Sequence, residues 1–204
     1  LEISFYNEFK RKATHLLALS IPIGYFFLPK PLSLLILTPF ALGAIMIDII
    51  RLRRLPLHSF LNRLLRPILR EHESADFAGS SYIFSASVLT ILLFDKSVAV
   101  AAISFIILGD IAAALVGRRF GKTNIGWRAG KSNALGNNKK SLEGSLSCLF
   151  MCLVVAVLVP HLPLWVGLIG AVVATGVEGS TIPINDNFSV PLISGLIMHI
   201  LLRI

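Results

Sequence analysis

Five of the chain's eleven acidic residues stand inside or at the edges of apolar runs: Asp48, Asp110, Glu143, Glu178 and Asp186. A carboxylate in hydrocarbon surroundings is costly, so its default reading is a functional one. Basic residues flank the same stretches, densest from Arg118 to Lys140, where seven lysines and arginines occur with no acid until Glu143. Carboxylates beside clustered cations suit a divalent ion and a polyphosphate. Mg²⁺ takes carboxylate and phosphate oxygens together, and Lys, Arg and glycine-exposed backbone amides bind phosphate. The loop's other reading is an anionic-lipid contact or a topology signal.

Asp110 has the most informative surroundings. On a helix, Asp110, Ala113, Ala114, Gly117 and Gly121 fall at i, i+3, i+4, i+7 and i+11, one small-residue face with a carboxylate at its base. Such a face admits a neighbouring helix or a ligand closely; simple helix packing explains the alanines and glycines but not the acid. Arg118 lies two turns further on, about 10–12 Å of rise, which sets Asp110 just below a basic mouth. Gly121-Lys122-Thr123 and Gly130-Lys131-Ser132 look like the end of a phosphate-binding P-loop, but the leading glycine is misplaced and no soluble strand precedes either, so a Walker-type site is rejected. Ser141 is placed to cap the next helix and Glu143 to favour its dipole; the sharper reading gives Lys140 a phosphate and Glu143 a metal or positioning role. Asp48 reads equally as an interfacial ion pair with Arg51.

The elements that must position these residues are apolar. The chain is 204 residues long, 55% hydrophobic and 15% charged, with a mean hydropathy of +0.79. That is too few charges to cover a soluble domain, for which about 25% is usual. Disorder is excluded by the same numbers, and a disulfide scaffold by the presence of Cys148 and Cys152 alone. Apolar runs at about 14–29, 31–50, 79–94, 97–117, 142–159, 164–179 and 188–202 predict an all-α, polytopic membrane protein of about seven helices, one membrane-embedded domain over residues 1–204. Several runs are short for a full span. Sixteen of the nineteen basic residues fall on one side of that arrangement, leaving Lys30, Lys96 and Arg203 on the other. The net charge of +8 is thus a topology signal, not a nucleic-acid one: the amino terminus and the acids are expected in the cytoplasm, the carboxyl terminus outside. No signal-peptide pattern is expected, since the first run ends in Leu28-Pro29-Lys30-Pro31. There is no internal repeat of the kind many transporters carry.

Gly109-Asp110 followed by Ala-rich sequence to Gly117-Arg118-Arg119-Phe120-Gly121-Lys122, then Lys140-Ser141-Leu142-Glu143-Gly144, then Asp186-Asn187-Phe188-Ser189-Val190-Pro191, resembles the CTP-dependent lipid-alcohol kinases, which include dolichol kinases, phytol kinases and the yeast-type diacylglycerol kinase. Glu8, Arg11, Lys12, His15 and the segment from Glu73 to Gly79-Ser80-Ser81-Tyr82 are similar to that family too, and the compact length is nearest the phytol-kinase type. The resemblance implies a membrane kinase that uses CTP and Mg²⁺ to phosphorylate the hydroxyl of a polyprenol, phytol, geranylgeraniol or diacylglycerol. It implies Asp110, Lys140, Glu143 and Asp186 as catalytic residues, with Asp110, Glu143 and Asp186 around the metal. Gly117, Arg118, Arg119, Gly121, Lys122, Ser141, Gly144 and Asn187 would contact the nucleotide, with Arg11, Lys12, His15, Glu73 and Glu178 in support.

Two rivals stand beside this expectation. A phosphatidate cytidylyltransferase also combines CTP, Mg²⁺ and a membrane site, but its Lys-Asp and Gly-His-Gly-Gly elements are missing from the sequence. A non-enzymatic transporter leaves the one-sided grouping of acids and cations unexplained. Cys148 and Cys152 read as packing residues, Trp127 as an interfacial anchor, and His58, His72, His161 and His199 show no metal spacing.

Overall fold

The structure, a computed structural model, describes residues 15–65, 76–123, 140–180 and 184–204. These are helical, with no strand among the described residues: α1 (Ser20–Phe27), α2 (Lys30–Leu52), α3 (His58–Leu65), α4 (Gly79–Leu93), α5 (Lys96–Phe120), α6 (Leu142–Leu158), α7 (Leu164–Gly179) and α8 (Asp186–Leu201). Seven of them coincide with the seven apolar runs. A helical turn at residues 15–17 leads into α1. Pro31 opens α2 at a position where its missing N–H leaves nothing unsatisfied. Ser141 caps α6 by accepting the Gly144 N–H at 3.1 Å, and Asn185 caps α8 through the Asn187 N–H at 3.0 Å.

Helix α5 is the axis of the assembly. Its residues from Val98 to Ile107 are buried without interruption, as a helix apolar on every side must be, and α1, α4, α6, α7 and α8 all pack on it. Helix α2 is peripheral and packs mainly on α4. The outer surface is apolar, with Leu35 at 71% and Phe27 at 75% exposure and Phe40, Leu42, Met46 and Phe150 also exposed. A surface of that kind suits hydrocarbon and not water.

Two helices, Lys30–Leu52 and Lys96–Phe120, are long and apolar enough to cross a membrane. The other apolar helices have 17 residues or fewer, at most about 26 Å of rise against about 30 Å of hydrocarbon. Full spanning by all seven is therefore an expectation that helix length alone does not meet. Helix α3 was not foreseen: the sequence reads as a basic connection there. It is a short amphipathic helix with Arg63 in its last turn and Phe60 exposed, the pattern of a segment lying in a membrane interface.

Candidate active site

Hydrogen bonds between helix ends define two ends of the bundle. At one, Lys30 Nζ donates to the Leu92 carbonyl at 2.8 Å, Lys96 Nζ to the Leu28 carbonyl at 3.0 Å, and His199 lies 3.0 Å from Asp95. At the other meet the C-terminal ends of α2, α5 and α7 and the N-terminal ends of α4, α6 and α8. Every acid singled out in the sequence stands on the half of its helix nearer this second end.

Asp110 is three-fifths of the way along α5, and the turn before α1 brings His15 to it, with Nε2 3.6 Å from Oδ2. Both side chains keep some exposure, 17% for His15 and 23% for Asp110. The next residue back, Gly109, faces Cys148 and Cys152 of α6: a Cβ there would stand 2.8 Å from the Cys148 sulfur. Thr175 of α7 donates to that same sulfur at 3.8 Å, and Glu178 follows one turn later. Gly109, Cys148 and Glu178 therefore belong to one neighbourhood built by α5, α6 and α7, while Asp110 pairs with His15.

Lys140, just before α6, ties three helix ends together. Its ammonium donates to the carbonyl of Glu178, to the Ser180 carbonyl at 3.3 Å and to Asp186 Oδ2 at 3.0 Å, and it lies 3.7 Å from Glu178 Oε1. Glu178 is only 8% exposed, and a carboxylate so buried needs a cation beside it. The sequence offered Lys140 a phosphate; in the structure it holds the ends of α7 and α8. Glu143 lies elsewhere, accepting the Thr123 N–H at 3.2 Å and so fastening the end of α5 to the start of α6.

The small-residue face of α5 is filled by a helix. A Cβ on Gly144 would stand 2.9 Å from the Ala113 carbonyl oxygen and 3.3 Å from Gly117 Cα, and one on Gly117 would meet Ser141 Oγ at 3.0 Å. Ser141, Gly144, Gly117 and Gly121 thus make the crossing of α5 with α6, the packing reading of that face. Asn187 is buried and donates to the Gly79 carbonyl at 3.3 Å, pinning α8 to α4. Arg118, Arg119 and Lys122 are exposed at the mouth, Arg119 beside the Phe120 ring. Arg11, Lys12, Glu73 and the remainder of the basic loop, Arg128, Lys131 and Lys139 with Trp127, lie outside the described residues.

One buried network exceeds its sequence signal. Asp48 and Arg51 form a 2.8 Å ion pair with both side chains 1% exposed. The second Asp48 oxygen accepts the Ala78 N–H at 2.9 Å and the Ser81 hydroxyl at 2.5 Å, and Arg51 donates to the Asp76 carbonyl at 2.6 Å. The i,i+3 spacing announced the pair. Its role in anchoring the start of α4 comes from residues some thirty positions away.

Among the described residues, no group of three or more His, Cys, Asp or Glu side chains is gathered so as to hold a metal. Asp110, Glu143 and Asp186 each have a different partner. The described carboxylates do not make an all-protein cage; an ion of the Mg²⁺ kind would not require one, since one or two carboxylates suffice when phosphate oxygens complete its shell.

No family model and no solved structure matches the chain. An uncharacterized protein of Rickettsia prowazekii (strain Madrid E) is 29% identical to it over 195 residues, which cover 91% of this chain and 90% of the relative. The similarity therefore extends over nearly the whole length of both chains.

Proposed function

We propose that this chain is a multi-pass membrane kinase, its active site at the cytoplasmic face, that transfers the γ-phosphate of CTP to the hydroxyl of a membrane lipid alcohol. The observation that carries this reading is the collection at one end of an apolar helical bundle of Asp110 with His15, Lys140 with Glu178 and Asp186, and the exposed cations Arg118, Arg119 and Lys122. The resemblance of the three motifs to CTP-dependent lipid-alcohol kinases supplies the nucleotide and the acceptor class.

Phosphoryl transfer asks little covalent chemistry of a protein; positioning and charge neutralisation do most of it. The lipid hydroxyl oxygen attacks the γ-phosphorus, the bond to the β–γ bridging oxygen breaks, and CDP leaves. The hydroxyl proton passes to the His15–Asp110 pair, in which the carboxylate stabilises the imidazolium that forms. Asp110 and Asp186, which keep more exposure than Asp48 and Glu178, would hold Mg²⁺ with the phosphates, and that ion would supply charge neutralisation as the phosphoryl group moves. Arg118, Arg119 and Lys122 attract the nucleotide, while Lys140 fixes the distance between Asp186 and Glu178. At this face a lipid hydroxyl and a soluble nucleotide can meet without either crossing the bilayer.

The test uses CTP labelled separately at the α- and γ-phosphates, with the purified protein, Mg²⁺ and a panel of lipid alcohols in vesicles. The γ-label should enter the lipid with CDP released. Entry of the α-label with pyrophosphate released would instead establish a cytidylyltransferase, and consumption of no nucleotide would overturn both.

A further inference from the structure

Away from the charged end, a groove of about 280 Å³ runs between α1, α2 and α4. Its walls are apolar: Ile21 and Leu28 from α1 and the turn after it, Ile36, Leu37 and Phe40 from α2, and Phe84 from α4. Phe40 and Phe84 stack at 5.9 Å to close one side. The Ser33 hydroxyl turns back onto the Pro29 carbonyl at 3.2 Å. The groove exists for two reasons. Helices α1 and α2 make little contact with each other beyond their tight connection, and Gly24 carries no side chain where a Cβ would have nothing within 4 Å.

We propose that this groove holds the hydrocarbon chain of a single-chain lipid alcohol, a reading that rests on the kinase function above and narrows its acceptor. Three features select that occupant. The walls are hydrocarbon and merge with the exposed Ile23, Phe27 and Leu35 of the outer surface, so what enters comes from the lipid phase. Ser20, which also lines the groove, is five positions along from His15, about 7–8 Å of helical rise, so a chain lying in it brings its polar end toward Asp110. The volume decides the number of chains. An apolar cavity of about 150 Å³ holds one benzene, so this groove takes roughly ten carbons and has no room for a second chain beside them. Diacylglycerol is disfavoured as acceptor, and prenyl or long-chain primary alcohols are preferred.

Gly24 is the handle for a test, because it lines the groove and a Cβ there meets nothing within 4 Å, so a longer side chain has open space to occupy. A long-chain primary alcohol bearing a photoactivatable diazirine in its chain is added to vesicles containing the full-length protein, and labelled peptides are mapped by mass spectrometry. Labelling is expected on residues around Gly24 and Ile36, to fall at least about tenfold in Gly24→Leu, to persist in Gly24→Ala, and to be competed by unlabelled single-chain alcohol far better than by diacylglycerol. Labelling elsewhere, or unchanged in Gly24→Leu, overturns the groove assignment. The same samples given CTP and Mg²⁺ separate the two claims. Groove labelling without phosphate transfer keeps the groove and removes the kinase; transfer whose chain preference Gly24→Leu leaves unaltered keeps the kinase and removes the groove.

Discussion

At the residue scale, the polar and ionisable groups divide between those that hold helices together and those left for chemistry. Asp48 with Arg51, Lys140 with Glu178, and Asn187 with Gly79 belong to the first kind. Breaking a partly buried pair exposes the cost of the charge left behind more than the worth of the contact. Lys140→Met is therefore expected to lower stability by about 1–3 kcal/mol, and Glu178→Gln added to it should restore part of the loss, because an amide leaves no buried charge unpaired. Thermal unfolding of the single and double variants in detergent measures this coupling; strict additivity would contradict it. The sequence made these residues visible as charges in apolar runs but not their partners. Lys140 reads in isolation as a phosphate ligand because the carbonyls it meets on Glu178 and Ser180 lie about forty positions away. His15 reads from the sequence either as an interfacial histidine or as a residue able to reach the same mouth, and only the turn before α1 brings it to Asp110.

At the element scale, glycines separate helix contact from open space. Gly144 sits where α5 and α6 touch backbone to backbone, and Gly24 sits over a void. Gly144→Ala should destabilise the protein by about 1–3 kcal/mol, since the Ala113 carbonyl must move. Gly24→Ala should be neutral or stabilising by up to about 1 kcal/mol, as in any helix interior. Melting temperatures of the two variants side by side give the sign, and equal losses would contradict the packing described. The helices themselves were legible from apolar runs, with boundaries matching within a few residues except for the opening of α1. What periodicity left open was whether the Asp110–Gly121 face met a helix or a ligand, because small residues suit both. Helix α3 gives no such signal, because its eight residues include an arginine and too few apolar side chains for a long run.

At the scale of the whole molecule, the charge asymmetry carries the orientation. Three apolar helices separate the basic loop at Arg118–Lys140 from the carboxyl terminus, so the two should lie on opposite sides of the membrane. Cysteines introduced at Ser132 and Ile204, with the buried Cys148 and Cys152 as background, should react with an impermeant maleimide from the cytoplasmic and outer sides respectively. Reaction of both from one side would mean that a short helix does not cross. Composition pointed to a membrane, and the resemblance to a reaction class. Neither indicated a groove beside α1, which depends on how two consecutive helices splay.

The central claim is phosphate transfer to a lipid alcohol through Asp110. Its most direct measurement compares the wild-type protein with Asp110→Asn, each reconstituted in vesicles with Mg²⁺, CTP and a long-chain primary alcohol and matched for insertion and melting temperature. The wild type should form the lipid phosphate, and the isosteric variant, stripped of the carboxylate that stabilises the His15 imidazolium, should do so about 10²- to 10⁴-fold more slowly. An Asp110→Asn protein as active as the wild type would contradict the assignment.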